Sequence, residues 1–305
     1  MKQLIVFALL VVTTASVQAL SFSLPEDGSD VVGEVFTVRT RNYDDTLHLY
    51  AEAYGIGFRE IVAANPTVNP WVPGEDTEVL LPVEFILPPG PREGIVINLA
   101  ELRMYYYLPD GKTLLTYPLG IGREGWETPI VEARVTGVIA KPTWVPPPSI
   151  HAEHRAMGDP LPSVVPPGPD NPLGEWAVGL SAKGYFIHGT NKDIGVGMRV
   201  SHGCMRMYNG DVEEFAKRVK KNTPVRIINE PVKTGWVNGE LFVEVHEALE
   251  EQRSSFVAEQ AVARAISKAK GESVDIEIDW NTAKLAASSL NGMPTRVSIQ
   301  KVAQR

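Results

Sequence analysis

The stretch "GIVINLAELRMYYYLPDGKTLLTYPLGIG", residues 94–122, decides the fold class because apolar runs alternate in it with a turn. Apolar and aromatic runs cover 95–97, 102–107 and 114–121, and a Pro-Asp-Gly turn signal lies at 109–111. Val, Ile and Tyr favour strands because their side chains pack well on a pleated surface. The stretch therefore predicts a β-rich domain that begins with a hairpin.

The whole chain has the composition of a globular protein, with 44% hydrophobic and 22% charged residues. Its 305 residues predict more than one domain. The formal net charge is −8, and no cluster of Lys and Arg stands out. Because phosphate binding needs a basic surface, this charge argues against nucleic acid as a partner.

The first 19 residues, "MKQLIVFALLVVTTASVQA", have the organisation of a secretory signal peptide. Lys2 supplies the positive n-region, Leu4–Val12 is the apolar run, and Val17 and Ala19 give the small-x-small cleavage pattern. The apolar run is shorter than the roughly 20 residues that a membrane span needs. We expect cleavage after Ala19, export to the periplasm and no membrane anchor.

A polar linker is predicted at 20–35, and a strand, two short helices and a strand are predicted within 36–84. This second segment resembles a LysM module, which binds the glycan chains of peptidoglycan, through "DTL" at 45–47 and "AANP" at 63–66. It departs from that family at Asp44, where LysM modules usually have glycine. The alternative is a generic small α/β module.

A proline-rich segment interrupts the strands at 142–172, where ten of the chain's 24 prolines stand. Proline has no N–H to donate to a ladder, so we expect a long irregular loop that serves as a stiff lid over a site. Strands and a helix then resume. The predicted elements are strands at 176–180, 184–188 and 225–228 and a helix from 209 that Asn209 or Asp211 caps.

The tail, 230–305, is predicted to be an accessory α/β subdomain without chemistry of its own. Its predicted elements are helices at 247–269 and 281–290 and strands at 274–279 and 295–299.

The only cysteine of the chain is Cys204, inside "VSHGCMRM" at 200–207. Exported proteins commonly use cysteines in disulfide pairs, so a single one suggests a reactive thiol, although a buried structural cysteine is the alternative. A thiol attacks as thiolate, and a histidine within reach can take its proton. His188 and His202 are the candidates, and we prefer His188, with the carbonyl of Gly189 orienting its ring.

Acyl transfer also needs donors for the oxyanion, and the consecutive N–H groups of Gly203 and Cys204 are well placed by sequence. Arg206 adds a fixed charge that could hold the loop, favour the thiolate or bind a substrate carboxylate. A zinc site made of His188, His202 and Cys204 is the metal alternative, but this spacing fits no common zinc pattern. His151 and His154 are interpreted as loop residues.

"HGT" at 188–190 and "SHGCMRM" at 201–207 resemble the active-site signature of L,D-transpeptidases with a YkuD-type domain. The likeness, closest to the ErfK/YbiS/YcfS/YnhG group, extends over about 92–229 and includes "GIGREGWETP" at 120–129. The resemblance implies a mainly-β sandwich catalytic domain, no cofactor, no metal, and peptidoglycan stem peptides as substrate. It also implies Cys204 as nucleophile and His188 as proton acceptor, and Ser201, His202, Gly203 and Arg206 fill the remaining motif positions. With these we predict Gly189 and Gly203 as further catalytic residues, and Arg206, Ser201, His202 and Tyr185 as substrate-binding residues.

Three functions follow from these observations. The first is an α+β, multidomain acyltransferase that forms a Cys204 acyl-enzyme at the L-centre of a diamino acid, releases D-alanine and transfers the acyl group to an amine. The second is a cysteine hydrolase that uses water instead, and the third is a non-enzymatic peptidoglycan-binding protein. Resemblance favours the C-terminal lysine of an envelope lipoprotein as the acceptor, with cross-linking of two stem peptides as the alternative.

Overall fold

The computed structural model describes residues 19–271 and 276–299. The strands in chain order are β1 (Leu20–Ser23), β2 (Val31–Gly33), β3 (Phe36–Arg39), β4 (Glu78–Leu81), β5 (Glu84–Ile86), β6 (Gly94–Asn98), β7 (Arg103–Tyr107), β8 (Thr113–Pro118), β9 (Ile121–Gly122), β10 (Val131–Ala140), β11 (Trp176–Leu180), β12 (Phe186–His188), β13 (Arg199–Ser201), β14 (Met205–Arg206), β15 (Pro224–Ile228), β16 (Val232–Val237), β17 (Glu240–Val245), β18 (Glu277–Ile278), β19 (Thr295–Arg296) and β20 (Ser298–Ile299). The helices are α1 (Leu47–Ala53), α2 (Phe58–Ala64), α3 (Pro148–Ala156), α4 (Asn209–Arg218), α5 (Ala258–Lys270) and α6 (Trp280–Ser289).

A nine-stranded mixed sheet forms the centre of the chain, in the order β1-β8-β7-β6-β15-β10-β11-β12-β14. The predicted hairpin is confirmed, since β7 and β8 pair antiparallel with Tyr107 opposite Leu114. Strand β14 lies at one edge, parallel to β12. The chain is therefore a mixed α/β protein, while the two-layer sandwich implied by the family resemblance stays a prediction.

The central strands are buried on both faces, so their side chains alternate between two hydrophobic cores. On β7, Met104 and Tyr106 belong to a central core that includes Phe215 of α4. Tyr105 and Tyr107 point the other way, into an N-terminal core that includes Leu47 of α1. The N-terminal module thus packs directly on the central sheet and shares a core with it.

Residues 36–84 contain β3, α1, α2 and β4 in the predicted order, and β3 pairs with β4 antiparallel. A buried ion pair adds to the contact between this module and the sheet. Both Nε and Nη2 of Arg103 on β7 donate to the Glu60 carboxylate on α2, each at 2.7 Å. Such bidentate pairing compensates for the burial of a guanidinium. The identity of the module as LysM remains a prediction.

The prediction that residues 20–35 form a linker is wrong, because they contain the strands β1 and β2. Strand β1 extends the central sheet by pairing with β8, with Leu20 opposite Thr116. Leu20 and Phe22 alternate toward the N-terminal core, which explains why a short polar segment is ordered there. Residues 1–18 of the predicted signal peptide lie outside the described residues. Among the residues that the structure describes, none of the helices has the length and apolarity that a bilayer crossing requires.

The C-terminal unit has its own core, formed by β16, β17, β19, α5 and α6. The predicted helix at 247–269 begins eleven residues late, at Ala258, because the preceding segment forms a 3-10 turn (Glu250–Gln252). The helix predicted at 281–290 is present as α6, and Val297 interrupts the strand predicted at 295–299. Of the strand predicted at 274–279, residues 274 and 275 lie outside the described residues, and Glu277–Ile278 forms β18. The β16–β17 hairpin was not predicted.

The proline-rich segment is more ordered than predicted. It contains α3, whose first turn begins at Pro148, where proline is tolerated because the first helical N–H has no partner anyway. Trp144 and Val165 exchange two backbone hydrogen bonds of 2.9 and 2.8 Å across its base. Asn171 is buried there, and its Nδ2 donates to the Pro142 carbonyl at 2.9 Å. We call residues 142–172 the lid segment.

Candidate active site

The parallel pairing of β12 with β14 aligns the segment that ends in His188 with the segment that follows Cys204. Ile187 is the register partner of Met205, and His188 is the partner of Arg206. Side chains alternate along a strand, so His188 and Arg206 share one face of the sheet. Cys204 immediately precedes β14 and lies two residues before Arg206, so strand alternation predicts its side chain on that same face.

His188 is buried, and its Nδ1 lies 2.6 Å from the Gly189 carbonyl oxygen, the group expected to orient it. Because a carbonyl only accepts, Nδ1 carries the proton and Nε2 keeps its lone pair. Burial lowers the pKa of His188 to about 4, with Arg206 adding to the decrease and the Gly189 hydrogen bond opposing it. At neutral pH this imidazole is an uncharged base.

Cys204 is half-buried and unpaired, and its Sγ donates to the Gly184 carbonyl at 3.6 Å. Burial raises the pKa of the thiol above its ordinary value, while the Phe186 backbone and the charge of Arg206 oppose that rise. At neutral pH the Cys204 thiol is therefore protonated and the His188 imidazole is uncharged, so the imidazole is able to accept a proton.

The loop that carries Cys204 is fixed by the hydroxyls of Ser201 and Thr128. Ser201 Oγ accepts from the Gly203 N–H at 3.1 Å and donates to the Cys204 carbonyl at 2.5 Å. Thr128 Oγ1 donates to the Gly203 carbonyl at 2.8 Å. Gly203 has φ of +104°, and a Cβ there would lie 2.9 Å from the Tyr185 ring, so glycine is needed.

These bonds correct the prediction that the Gly203 and Cys204 amides form a pair of oxyanion donors. The Gly203 N–H is already engaged by Ser201, whose hydroxyl competes for it. Among residues 19–271 and 276–299, no acceptor takes the Cys204 N–H. Ser201 therefore stabilises the loop by two hydrogen bonds inside it, and the Cys204 N–H remains as the donor of this pair that no described residue engages.

Arg206 lies near the thiol and forms no ion pair with any residue that the structure describes. Its backbone is fixed by two hydrogen bonds with Gly120, of 2.7 and 2.8 Å. Its Nε is buried and has no hydrogen-bond partner in the described part of the chain. A buried N–H without an acceptor is costly, so this nitrogen is suited to donate to an anionic or carbonyl oxygen of a ligand.

His202, the other motif histidine, contacts the lid segment. Its Nε2 lies 2.6 Å from Glu153 Oε2 on α3, and the other oxygen of Glu153 pairs with Arg123. Hydrogen bonds from Arg123 and then His202 lower the pKa of Glu153 to about 2, so this carboxylate is charged at neutral pH. The ring of Trp126 packs edge-on against His202 with centroids 4.7 Å apart. Sequence reasoning missed Glu153, because nothing local marks it.

Asn209 is a second residue that sequence reasoning misplaced. The N-cap of α4 is Tyr208, not Asn209 or Asp211, and no side chain caps the helix. Asn209 instead holds Thr190, accepting from its N–H at 3.1 Å and donating to its carbonyl at 2.7 Å. A Cβ on Gly189 would lie 2.3 Å from Asn209 Oδ1, so this contact also requires glycine after His188.

The zinc alternative has no support in the geometry. Within the described residues, the group whose ligand atoms lie within 4.8 Å of one another is Glu101, Glu244 and His246, far from the motif in sequence. The Lys233 ammonium already lies between those carboxylates, 2.9 Å from Glu101 and 2.8 Å from Glu244. This buried network joins the C-terminal unit to the central sheet.

The chain is similar to known L,D-transpeptidases. The L,D-transpeptidase catalytic domain family YkuD matches residues 92–227. The probable L,D-transpeptidase ErfK/SrfK of Escherichia coli K12 is 38% identical over 298 residues, which cover 96% of this chain and 95% of that protein. The probable L,D-transpeptidase YcfS of the same organism is 43% identical over 81% of this chain and 78% of its own length.

One solved structure among those that match is L,D-transpeptidase 3 from Mycobacterium tuberculosis. It is 19% identical, with a TM-score of 0.33, and the match covers 52% of this chain and 72% of that one. The alignment with ErfK/SrfK, in contrast, runs through the N-terminal module, the central sheet and the C-terminal unit.

Proposed function

The chain belongs to the L,D-transpeptidases with a YkuD catalytic domain, and from that premise we propose that it transfers peptidoglycan stem peptides to an amine through Cys204. The observation that supports the proposal is the pairing of β12 with β14, which sets His188 opposite Arg206, two residues after Cys204, while burial lowers the pKa of His188 and raises that of Cys204. A non-enzymatic role is not compatible with this membership.

In the first step, His188 Nε2 takes the thiol proton and Sγ attacks the carbonyl at the L-centre of the diamino acid. The oxyanion accepts a hydrogen bond from the Cys204 N–H, and Arg206 supplies positive charge beside it. The bond to the D-alanine nitrogen breaks, and the imidazolium returns its proton to that nitrogen as D-alanine leaves. The product is a thioester on Cys204.

In the second step, an amine attacks the thioester carbonyl and loses its proton to His188. The C–S bond breaks, and the thiolate recovers the proton from the imidazolium, which restores the starting site. The proposed substrates are tetrapeptide stems, and no cofactor is needed. Tyr185 lies against Gly203 and borders the site where the stem would bind.

The favoured acceptor is the C-terminal lysine of an envelope lipoprotein. The support is the sequence "HAEHRAMGDPLP" at 151–162, which resembles that of family members that attach an envelope lipoprotein to peptidoglycan. This part of the lid segment contacts the catalytic motif through the bond between Glu153 and His202. Both candidate acceptors are primary amines, so the chemistry at Cys204 does not distinguish them.

The test of the acceptor is to delete the gene and digest the isolated cell wall. We expect peptide-linked lipoprotein remnants to disappear while cross-links between two diamino acids stay unchanged. Restoring the gene with Cys204→Ala is the control and should not bring the remnants back. Loss of diamino-acid cross-links with intact lipoprotein attachment would assign the other acceptor.

The lid segment is proposed to keep water from the thioester, since exclusion of water decides between transfer and hydrolysis. Glu153→Gln removes the charge that holds α3 to Arg123 and His202. We expect the ratio of hydrolysed to transferred product to rise several-fold, measured by mass spectrometry with a tetrapeptide donor and an excess of amine.

Asp159→Asn is the matched control, because Asp159 is exposed on the same segment and contacts only His154. An unchanged product ratio in Glu153→Gln would show that the lid segment does not control water. Shortening 142–172 should change the ratio in the same direction.

The N-terminal module is proposed to hold the enzyme on glycan strands, as its LysM-like order of elements suggests. The signal peptide is proposed to direct the chain to the periplasm, where these substrates occur. Intact mass of the exported protein, with Leu20 as its first residue, would support the cleavage site.

A further inference from the structure

The C-terminal unit reaches back to the catalytic loop through two glutamates. The 3-10 turn before α5 presents Glu250 and Glu251 to Arg199, the first residue of β13. Nη1 of Arg199 pairs with Glu250 and lies 2.6 Å from Glu251 Oε2. Only 4% of the Arg199 side chain is exposed, so these two anions supply the charge that its burial requires.

A further nitrogen of Arg199, Nε, bonds the backbone of the strand that pairs with Ser201. Nε donates to the Gly122 carbonyl at 2.9 Å. The Gly122 N–H donates to Thr128 Oγ1 at 3.0 Å, and the same hydroxyl holds the Gly203 carbonyl. Gly122 also pairs in parallel register with Ser201. Arg199 therefore stabilises the pairing of β9 with β13. Ser201 lies on β13 and Thr128 is bonded to β9, and the hydroxyls of these two residues hold the loop that carries Cys204.

The glutamate-bearing turn is itself firmly placed. Leu249, the residue before it, is buried in the central core. The Asn229 side chain donates to Gln252 Oε1 at 2.7 Å. Arg59 of α2 lies 3.4 Å from Glu250, so the N-terminal module meets the turn as well. A rigid turn can transmit its position to the guanidinium that it binds.

From these contacts we infer that Glu250 and Glu251 are positioning residues for the transpeptidase reaction, acting through Arg199 on the loop that carries Cys204. The C-terminal unit is then a required part of the active enzyme, not an independent accessory. The expected effect of these glutamates on transfer rests on the proposed function. Their expected effect on the reactivity of the Cys204 thiol does not depend on that function.

The test uses the full chain with the double variant Glu250→Gln/Glu251→Gln, which keeps the side-chain shapes and removes both charges. We expect kcat for transfer to fall about 10²-fold with little change in KM, since a displacement of about 1 Å near reacting groups has that effect. A second measurement is the pH dependence of Cys204 alkylation by iodoacetamide. A loosened loop exposes the thiol, so the alkylation midpoint should move down toward that of an ordinary cysteine.

Glu247→Gln is the matched control, because Glu247 lies in the same segment and contacts Arg59 and Arg253 without touching Arg199. If the double variant does not fold, the single variant Glu251→Gln replaces it. This variant retains one anion, so its alkylation midpoint should shift in the same direction by a smaller amount. Midpoint and kcat equal to those of Glu247→Gln would overturn the inference. Absence of transfer by the wild-type chain would instead count against the proposed function, and the alkylation midpoint would still decide the role of the two glutamates.

Discussion

Cys204→Ala is expected to reduce transfer by about 10³-fold or more, because removing a nucleophile removes the covalent route and leaves only binding and electrostatic effects. The side chain is half-buried and its Sγ makes one hydrogen bond, at 3.6 Å, so the fold should tolerate the change. The measurement is release of D-alanine from a tetrapeptide stem in the presence of an amine acceptor.

A mass adduct gives an independent readout of the same residue. The chain has one cysteine, so any thiol-directed label must lie on Cys204. A carbapenem, which acylates related enzymes according to the family resemblance, should add one equivalent to the wild type and none to Cys204→Ala. Full transfer activity in the variant, or an adduct that survives the substitution, would show that another group forms the acyl-enzyme.

His188→Ala is expected to lower kcat/KM for transfer by about 10²–10⁴-fold, the usual contribution of a positioned acid–base group. Added imidazole should restore part of the activity by occupying the space left next to Gly189. His202→Ala is the comparison, and its effect should be smaller because His202 Nε2 is engaged with Glu153. A larger loss of activity in His202→Ala than in His188→Ala would show that His202, and not His188, is the base.

The pH profile of the wild type gives a second test of His188. The base must be neutral, and burial lowers its pKa to about 4, so activity should be retained well below the ordinary histidine value and fall only as the pH approaches 4. His188 is uncharged above that pH. An acid limb near 6.5 would mean that the group that titrates is not the buried imidazole.

Much of the candidate site could be predicted because its residues are adjacent in sequence or stand in a recognisable motif. The Gly189 carbonyl beside His188 was predicted and is present at 2.6 Å. Glu153 and Asn209 were not, because each acts on a residue 49 or 19 positions away. No local propensity encodes such pairs. The amide of Gly203 was assigned to the oxyanion because the competing Ser201 hydroxyl depends on the loop conformation.

The fold shows the same division between local and distant information. The β7–β8 hairpin follows from its apolar runs and its turn residues. The β16–β17 hairpin was overlooked although Asn238-Gly239, a strong hairpin signal, lies at its turn. The sequence predicts a linker where β1 lies, because the order of this strand comes from its pairing with β8, about ninety residues later in the chain.

The double-sided burial of β7 has a consequence for how such enzymes can be divided or recombined. The segment recognised as the catalytic family, residues 92–227, ends before the C-terminal unit and begins after the N-terminal module. Cutting it out would leave Tyr105 and Tyr107 facing water across a sheet that has lost its cover. Replacing the N-terminal module of this chain with another domain would therefore require new side chains on the sheet surface that it covers.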